Sequence, residues 1–155
     1  MIKTGCILVT GGAGFIGSAF VRQLLELTEC RVVNIDALTY AGNLATISDV
    51  RKNPRYTFVH ADITDAPQIR QLFKKYEPLA LVHLAAESHV DRSIDGPGVF
   101  ITSNIVGTYT LLEEARRYIA ESESEVAAQF RFHHVSTDEV FGSLGCHGEF
   151  TEESP

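Results

Sequence analysis

The chain has 155 residues, 45% of them hydrophobic, and carries 13 Lys and Arg against 20 Asp and Glu for a formal charge of −7. That length suits one domain burying roughly 68–70% of its unfolded surface, and an acidic balance with dispersed basic residues argues against a nucleic-acid partner. No apolar run approaches the ~20 residues of a membrane span and Met1 leads into the first strand without a signal-peptide pattern, so a cytoplasmic protein with no membrane partner is expected, while Cys6, Cys30 and Cys146 show no Cys-x-x-Cys spacing and predict buried or idle thiols without a metal site.

Cys6 to Val9 is an apolar run suited to a buried parallel strand. Thr10-Gly11-Gly12-Ala13-Gly14-Phe15-Ile16-Gly17 follows it. Glycines at 11, 14 and 17 let the chain turn sharply and bring its backbone close to a pyrophosphate, which the first amides of the next helix then face. That helix is predicted from Phe15 to Leu27, with apolar residues at Phe15, Ile16, Phe20, Leu24 and Leu27. Arg31 to Asp36 is the second strand. Asp36 lies about twenty residues beyond Gly17, where a carboxylate would accept hydrogen bonds from the adenosine ribose hydroxyls. The combination predicts a dinucleotide site, and the carboxylate favours NAD over NADP.

Further along, Leu44 to Val50 reads as a short helix, Tyr56 to His60 as a third strand, and Ala66 to Tyr76 as a helix begun near Asp65 and ended before Pro78. Leu79 to Leu84 is a fourth strand. A long helix is predicted from Pro97 or Gly98 to about Ile119; its apolar surface is wide enough to pack on a sheet with one face and on a partner with another. Glu121 to Glu125 reads as a solvated connection and Phe130 to Val135 as a fifth strand. The alternation predicts an α/β fold, a Rossmann-like doubly wound parallel sheet of about five strands with helices on both faces and right-handed crossovers.

Ligands in such sheets bind at the carboxyl ends of the strands. Those ends carry Asp36-Ala37-Leu38-Thr39-Tyr40, Asp62-Ile63, Leu84-Ala85-Ala86-Glu87-Ser88-His89 and Ser136-Thr137-Asp138-Glu139. Local pattern leaves Asp62 open between a turn or helix cap and an adenine contact, and assigns His89, His133 and His134 to bracing or packing. Asp138-Glu139 directly follows a strand and a Ser-Thr pair, which favours a functional role over a solvated acidic turn.

The segments TGGAGFIGS, NIDALTYAGN, LAAESHVDRSI and VSTDEVFGSLG, in this order, resemble the amino-terminal part of the dTDP-glucose 4,6-dehydratases, in the extended branch of the short-chain dehydrogenases and reductases. The resemblance covers essentially the whole chain, and Thr137-Asp138-Glu139 is its most specific piece, since related sugar epimerases typically lack the Asp-Glu pair. Three positions depart from the family's common residues: Ala37 stands for lysine, Ser103 for threonine and Phe141 for tyrosine. The resemblance implies a lyase acting on a nucleotide sugar, dTDP-glucose, in which NAD removes hydride from C4, water is lost across C5 and C6, and hydride returns to C6. By the same resemblance Glu139 is the base at C5, Asp138 the acid at the C6 hydroxyl, and Thr137 hydrogen-bonds the C4 oxygen. Catalysis by two neighbouring carboxyls carries the expectation that the pair is partly buried. The implied NAD site comprises Gly11, Gly14, Phe15, Ile16, Gly17, Asp36, Ala37, Leu38, Thr39, Asp62, Ile63, Leu84, Ala85, Ala86, Glu87, Ser88 and Ser103, with Ser88 also near substrate.

The superfamily's Tyr-x-x-x-Lys pair is missing: four residues beyond Tyr40, Tyr56, Tyr76, Tyr109 and Tyr118 stand Leu44, His60, Ala80, Glu113 and Ser122. The resemblance places that motif shortly after Pro155. Residues 1–155 are therefore expected to be an NAD-binding domain incomplete at its carboxyl-terminal end, belonging to an enzyme that is a homodimer when complete. Alternatives are a catalytically silent NAD-binding fragment, or a related epimerase or dehydratase acting on a UDP-sugar.

Overall fold

Five parallel strands lie side by side in the order β3-β2-β1-β4-β5: β1 Cys6–Thr10, β2 Arg31–Asp36, β3 Tyr56–His60, β4 Ala80–His83 and β5 Arg131–His134. The computed structural model describes residues 4–145 and 147–154, without the side chain of Val90. Register runs Ile7 against Val32 and Ala80, then Ala80 against Arg131. Successive side chains of a strand point to opposite faces, and two cores result. Leu8, Val33, Ile35 and Leu81 pack under helices α2 (Ala66–Tyr76) and α5 (Thr108–Glu121), while Ile7, Val9, Val32 and Val82 pack under α1 (Phe15–Leu27). Fully burying each such side chain stabilises the fold by about 1.5–3 kcal/mol.

Local chemistry sets most helix ends. Asp65 Oδ1 accepts from the Gln68 amide at 3.0 Å and Pro67 sits in the first turn of α2, where its missing N–H costs nothing. The helix stops at Glu77 in the left-handed conformation, φ 41°, just before Pro78. Arg70 of α2 grips the buried carboxylate of Glu114 on α5 through two hydrogen bonds of 2.8 Å, which holds that carboxyl below its ordinary pKa. Phe73, Tyr118 and Phe130 close this layer, their ring centroids 5.3 to 5.7 Å apart.

Four features differ from the sequence expectation. The buried face of α1 is Gly17, Ser18, Val21 and Leu25, whereas Phe15, Ile16 and Leu27 are exposed, Phe15 and Ile16 because they point to the cleft at the end of the sheet and Leu27 because it ends the helix. The long helix over residues 97 to 121 is not uniform: α4 (Pro97–Phe100) passes into a π-helical segment, Ile101–Gly107, before α5 begins. A short helix α3 (Val90–Asp95) precedes it. The expected connection after Glu121 ends in one further turn, α6 (Glu125–Ala128), because Ser124 Oγ caps the Val126 amide at 3.2 Å and Ala127 finds a buried seat.

Cys6 and Cys30 are buried free thiols, and burial pushes Cys6 up to about 11. Cys146 lies outside the described residues. Among the described residues no helix is long and apolar enough to cross a membrane, and no group of three or more His, Cys, Asp or Glu could hold a metal ion.

Candidate functional site

The carboxyl ends of the strands open into a cleft of about 810 Å³. Its floor is the glycine loop. Gly11 has φ 73°, and a Cβ there would come within 2.7 Å of the Ala85 amide, so the close approach of the segments after β1 and β4 needs a residue without a side chain. At Gly17 a Cβ would fall on the Gly11 carbonyl oxygen, which lets α1 begin directly against the loop. Gly14 precedes α1 and offers no side-chain cap, and the first turn holds no acidic residue. The leading amides of a helix have no intrahelical partner and carry its positive dipole end. Here the residues that carry them, Phe15, Ile16 and Gly17, line the cleft.

Asp36, 8% exposed at the end of β2, organises the loop from the other side. Its Oδ2 accepts from the Ala13 amide and its Oδ1 from the Leu38 amide, both at 2.8 Å. Each oxygen keeps a further lone pair, and the carboxylate borders the cleft. Thr46 Oγ1 and the Asn43 amide both donate to the Ala13 carbonyl, at 2.8 and 3.1 Å, so the glycine loop is held on two sides.

The cleft brings together Gly11, Gly14, Phe15, Ile16, Gly17, Asp36, Ala37, Thr39, Asp62, Ile63, Leu84, Ala85, Ala86, Glu87, Ser88, Ser103 and Thr137 of the sequence-derived site. Phe15 is 91% exposed at its mouth, an apolar ring with nothing packed on it. Asp62 forms a turn: its Oδ1 accepts from the Thr64 amide and hydroxyl at 2.8 and 2.7 Å before α2, and the residue also lines the cleft. Leu38 is the exception among the nucleotide-site residues. With φ 52° it turns its side chain into the core below α1, leaving its backbone to serve Asp36.

Asp138 and Glu139 stand beside the cleft rather than in its wall, in a single 3₁₀ turn, Asp138–Phe141. Thr137 Oγ1 caps that turn by accepting from the Glu139 amide at 3.2 Å. Both carboxyls are exposed, against the expectation of partial burial, because no element of the described residues packs over the turn. His89 ends its loop at the start of α3 and meets the Tyr40 ring edge-on at 6.4 Å; the Arg92 guanidinium sits 4.2 Å from the same ring.

Residues outside the sequence-derived set also build this end of the sheet. Asn104, in the π segment, accepts from the Glu87 amide and donates to the Glu87 carbonyl, both at 2.8 Å. His83, at the end of β4, is buried between Thr10 and Thr108, and its ring lies 5.0 Å from that of His134 with the planes inclined by 40°. Burial, with a smaller contribution from His134, lowers its pKa to about 4. A Ser, Thr or His at the end of a strand gives no local signal of such pairing.

A family model described as GDP-mannose 4,6 dehydratase matches residues 8–155. The chain belongs to the GDP-mannose 4,6 dehydratase family. Among curated relatives, the dTDP-glucose 4,6-dehydratase 1 of Escherichia coli K12 is 58% identical over 151 residues, which are 96% of this chain and 42% of the relative. A crystal structure of the dTDP-glucose 4,6-dehydratase DesIV from Streptomyces venezuelae, solved with NAD bound, is 48% identical with a TM-score of 0.84, over 97% of this chain and 44% of that one. The UDP-Glc/GlcNAc 4-epimerase of Campylobacter jejuni superposes almost as well, TM-score 0.82 over 97% of this chain and 42% of that one, at 28% identity. The fold is thus shared across the two chemistries while sequence separates them. This member of the family spans about two fifths of the length of the relatives it matches.

Proposed function

We propose that the chain supplies the NAD-binding half and the Thr-Asp-Glu catalytic segment of a dTDP-glucose 4,6-dehydratase. The observation that carries this reading is spatial. Thr137, which leads the Asp138-Glu139 turn, lines the same cleft as Gly11, Asp36 and Ser88, so the acid-base turn begins at the wall of the dinucleotide cradle. Higher identity to the dehydratase DesIV than to the epimerase, 48% against 28%, favours dehydration over epimerisation.

The residues present fit NAD. Gly11 and Gly17 permit backbone approach, the start of α1 offers free amides to a pyrophosphate, and Asp36 offers lone pairs to ribose hydroxyls. Bound there, the cofactor supplies a hydride acceptor for C4 of the sugar and a hydride donor for C6. Thr137 hydrogen-bonds the C4 oxygen, Glu139 removes the proton that the C4 ketone acidifies at C5, and Asp138 protonates the C6 hydroxyl as water leaves. Adjacent positions in one 3₁₀ turn let both carboxyls serve a single sugar.

The outer face of the long helix supports a homodimer of the complete protein. Ile105, Tyr109, Leu112 and Ile119 follow one another at helical spacing and are exposed. The same reading carries a cytoplasmic location for the complete protein.

A chimera tests the catalytic reading: residues 1–155 replace the matching part of the Escherichia coli relative. It is expected to convert dTDP-glucose to dTDP-4-dehydro-6-deoxyglucose. A folded chimera that binds NAD and leaves dTDP-glucose unchanged would show the segment to be a silent dinucleotide-binding unit.

A further inference from the structure

The end of β4 holds a buried histidine for which the proposed chemistry has no direct use. His83 is 1% exposed, with Nδ1 2.7 Å from Thr10 Oγ1 and Nε2 2.9 Å from Thr108 Oγ1. Each threonine hydroxyl can donate or accept, so one ring nitrogen donates to its threonine while the other accepts, and Thr10 Oγ1 also accepts from the Ala85 amide at 3.3 Å. Burial favours the neutral ring.

Thr108 begins α5 immediately after the π segment. A π turn departs from ordinary helical hydrogen bonding and persists where surrounding contacts hold it. Here three contacts do so within five residues. Asn104 is paired with the Glu87 backbone, Gly107 lies so close to Ile63 that a Cβ would stand 2.5 Å from its Cδ1, and Thr108 meets His83. Glu87 and Ile63 themselves line the cleft, as do Thr102 and Ser103 on the helix. A slip of one residue turns a helix by about 100°, which would carry Thr102 and Ser103 off the cleft.

We propose that His83 is a positioning residue for the dinucleotide site: by bridging Thr10 of β1 to Thr108 of α5 it fixes the register of the π segment and so the placement of Thr102 and Ser103. The inference rests on the NAD reading of the cleft. Asn104 ties the helix to a loop, whereas His83 ties it to the sheet, the part of the fold least able to move.

Three substitutions separate this role from simple packing. His83→Gln keeps a group that reaches Thr108, His83→Asn keeps a group that reaches Thr10, and His83→Phe keeps a ring with neither bond. In calorimetric titrations of NAD into the 155-residue chain, His83→Gln is expected to hold the parent affinity within about threefold, while His83→Asn and His83→Phe lose about tenfold or more. Affinity kept by His83→Asn and lost by His83→Gln, as a role confined to β1 and β4 requires, overturns the proposal. Parent affinity in all three variants does the same. If the parent chain itself takes up no NAD, the dinucleotide reading is what fails, and hydrogen exchange at the backbone amides of residues 104 to 112 decides the His83 link. Faster exchange in His83→Asn and His83→Phe than in His83→Gln sustains it; equal protection in all three overturns it.

Discussion

On the dinucleotide side of the cleft the loop residues bond to one another, whereas on the side of Thr137 they meet little beyond solvent. Ala13 alone engages Asp36, Asn43 and Thr46, and the strands beneath, β1 and β2, are buried almost throughout. β5 is an edge strand whose residues are mostly exposed, and the turn after it rests on the Thr137 cap and a Phe141–Phe150 ring contact at 5.4 Å. Under the proposed NAD reading, the difference teaches that holding a cofactor and using it have separate structural requirements. The first is met by short-range hydrogen bonds within the chain; the second needs groups brought to the sugar, and rate depends steeply on that positioning.

The largest expected effect breaks the comparison at its catalytic side. In a full-length enzyme bearing this sequence, Asp138→Asn is expected to slow loss of water and Glu139→Gln to slow exchange of the C5 proton with solvent, each by about a hundred- to ten-thousand-fold, with NAD affinity unchanged. Steady-state turnover and deuterium uptake at C5 measure the two. Unchanged rates in both variants would make the pair a solvated acidic turn, the meaning their exposure has in most loops. The 155-residue chain alone, lacking the tyrosine and lysine of its superfamily, is expected to show no turnover of dTDP-glucose at all.

The next effect probes the dinucleotide side. Two unit charges about 4 Å apart at an effective dielectric of ~20 interact by roughly 4 kcal/mol, so Asp36 facing a 2′-phosphate is expected to weaken NADP against NAD by a factor of about a thousand. Calorimetry on the chain gives both affinities. Equal values would mean that Asp36 acts solely as the brace of Ala13 and Leu38.

Acid sharpens the comparison next, because His83 lies where the two sides meet. Its pKa falls from an ordinary 6.5 to about 4 on folding. The unfolded chain therefore binds the proton first as pH drops; stability owed to this group is whole above pH 6.5, declines between 6.5 and 4, and levels off below. The total is about 3 kcal/mol. Urea unfolding of the chain and of His83→Gln across that range reads it as a difference in slope, and parallel profiles would remove His83 as the source.

Which parts of this fold were legible in the sequence follows the same division. β2, β3, α1 and α2 stand at their expected bounds, because alternation, the Asp65 cap and the stop before Pro78 act within a few residues. The glycine loop and Asp36 were legible for a related reason, since their spacing is the mechanism. The π segment was not. It depends on Asn104, Gly107 and Thr108 meeting Glu87, Ile63 and His83, partners 17 to 44 residues away in the chain that no local period announces. Leu38 sits within the nucleotide motif, and the packing of its side chain against the core was not legible there, because it goes with a positive φ at that one residue. The exposure of Asp138 and Glu139 likewise depends on what packs over them and not on their order in the chain.

The smallest effect tests how closely the dinucleotide side is fitted. Gly17→Ala adds one methyl group, and that methyl meets the Gly11 carbonyl oxygen, with Gly11 C and Gly12 Cα each 2.8 Å away. All three neighbours are backbone, so no side chain can swing aside. Either α1 lifts from the loop or the loop opens. Overpacking of this kind costs about 1–3 kcal/mol, and in a protein of this size each kcal/mol lowers Tm by about 2–4 °C. Lifting α1 would also withdraw its leading amides from the pyrophosphate, so NAD affinity is expected to fall together with Tm. Ala substitution at Gly98, where a Cβ would meet nothing within 4 Å although the residue borders the same cleft, is the matched control. A Gly17→Ala chain that melts and binds NAD as Gly98→Ala does would show that the loop has slack, and that the dinucleotide side is no more tightly built than the turn at Asp138.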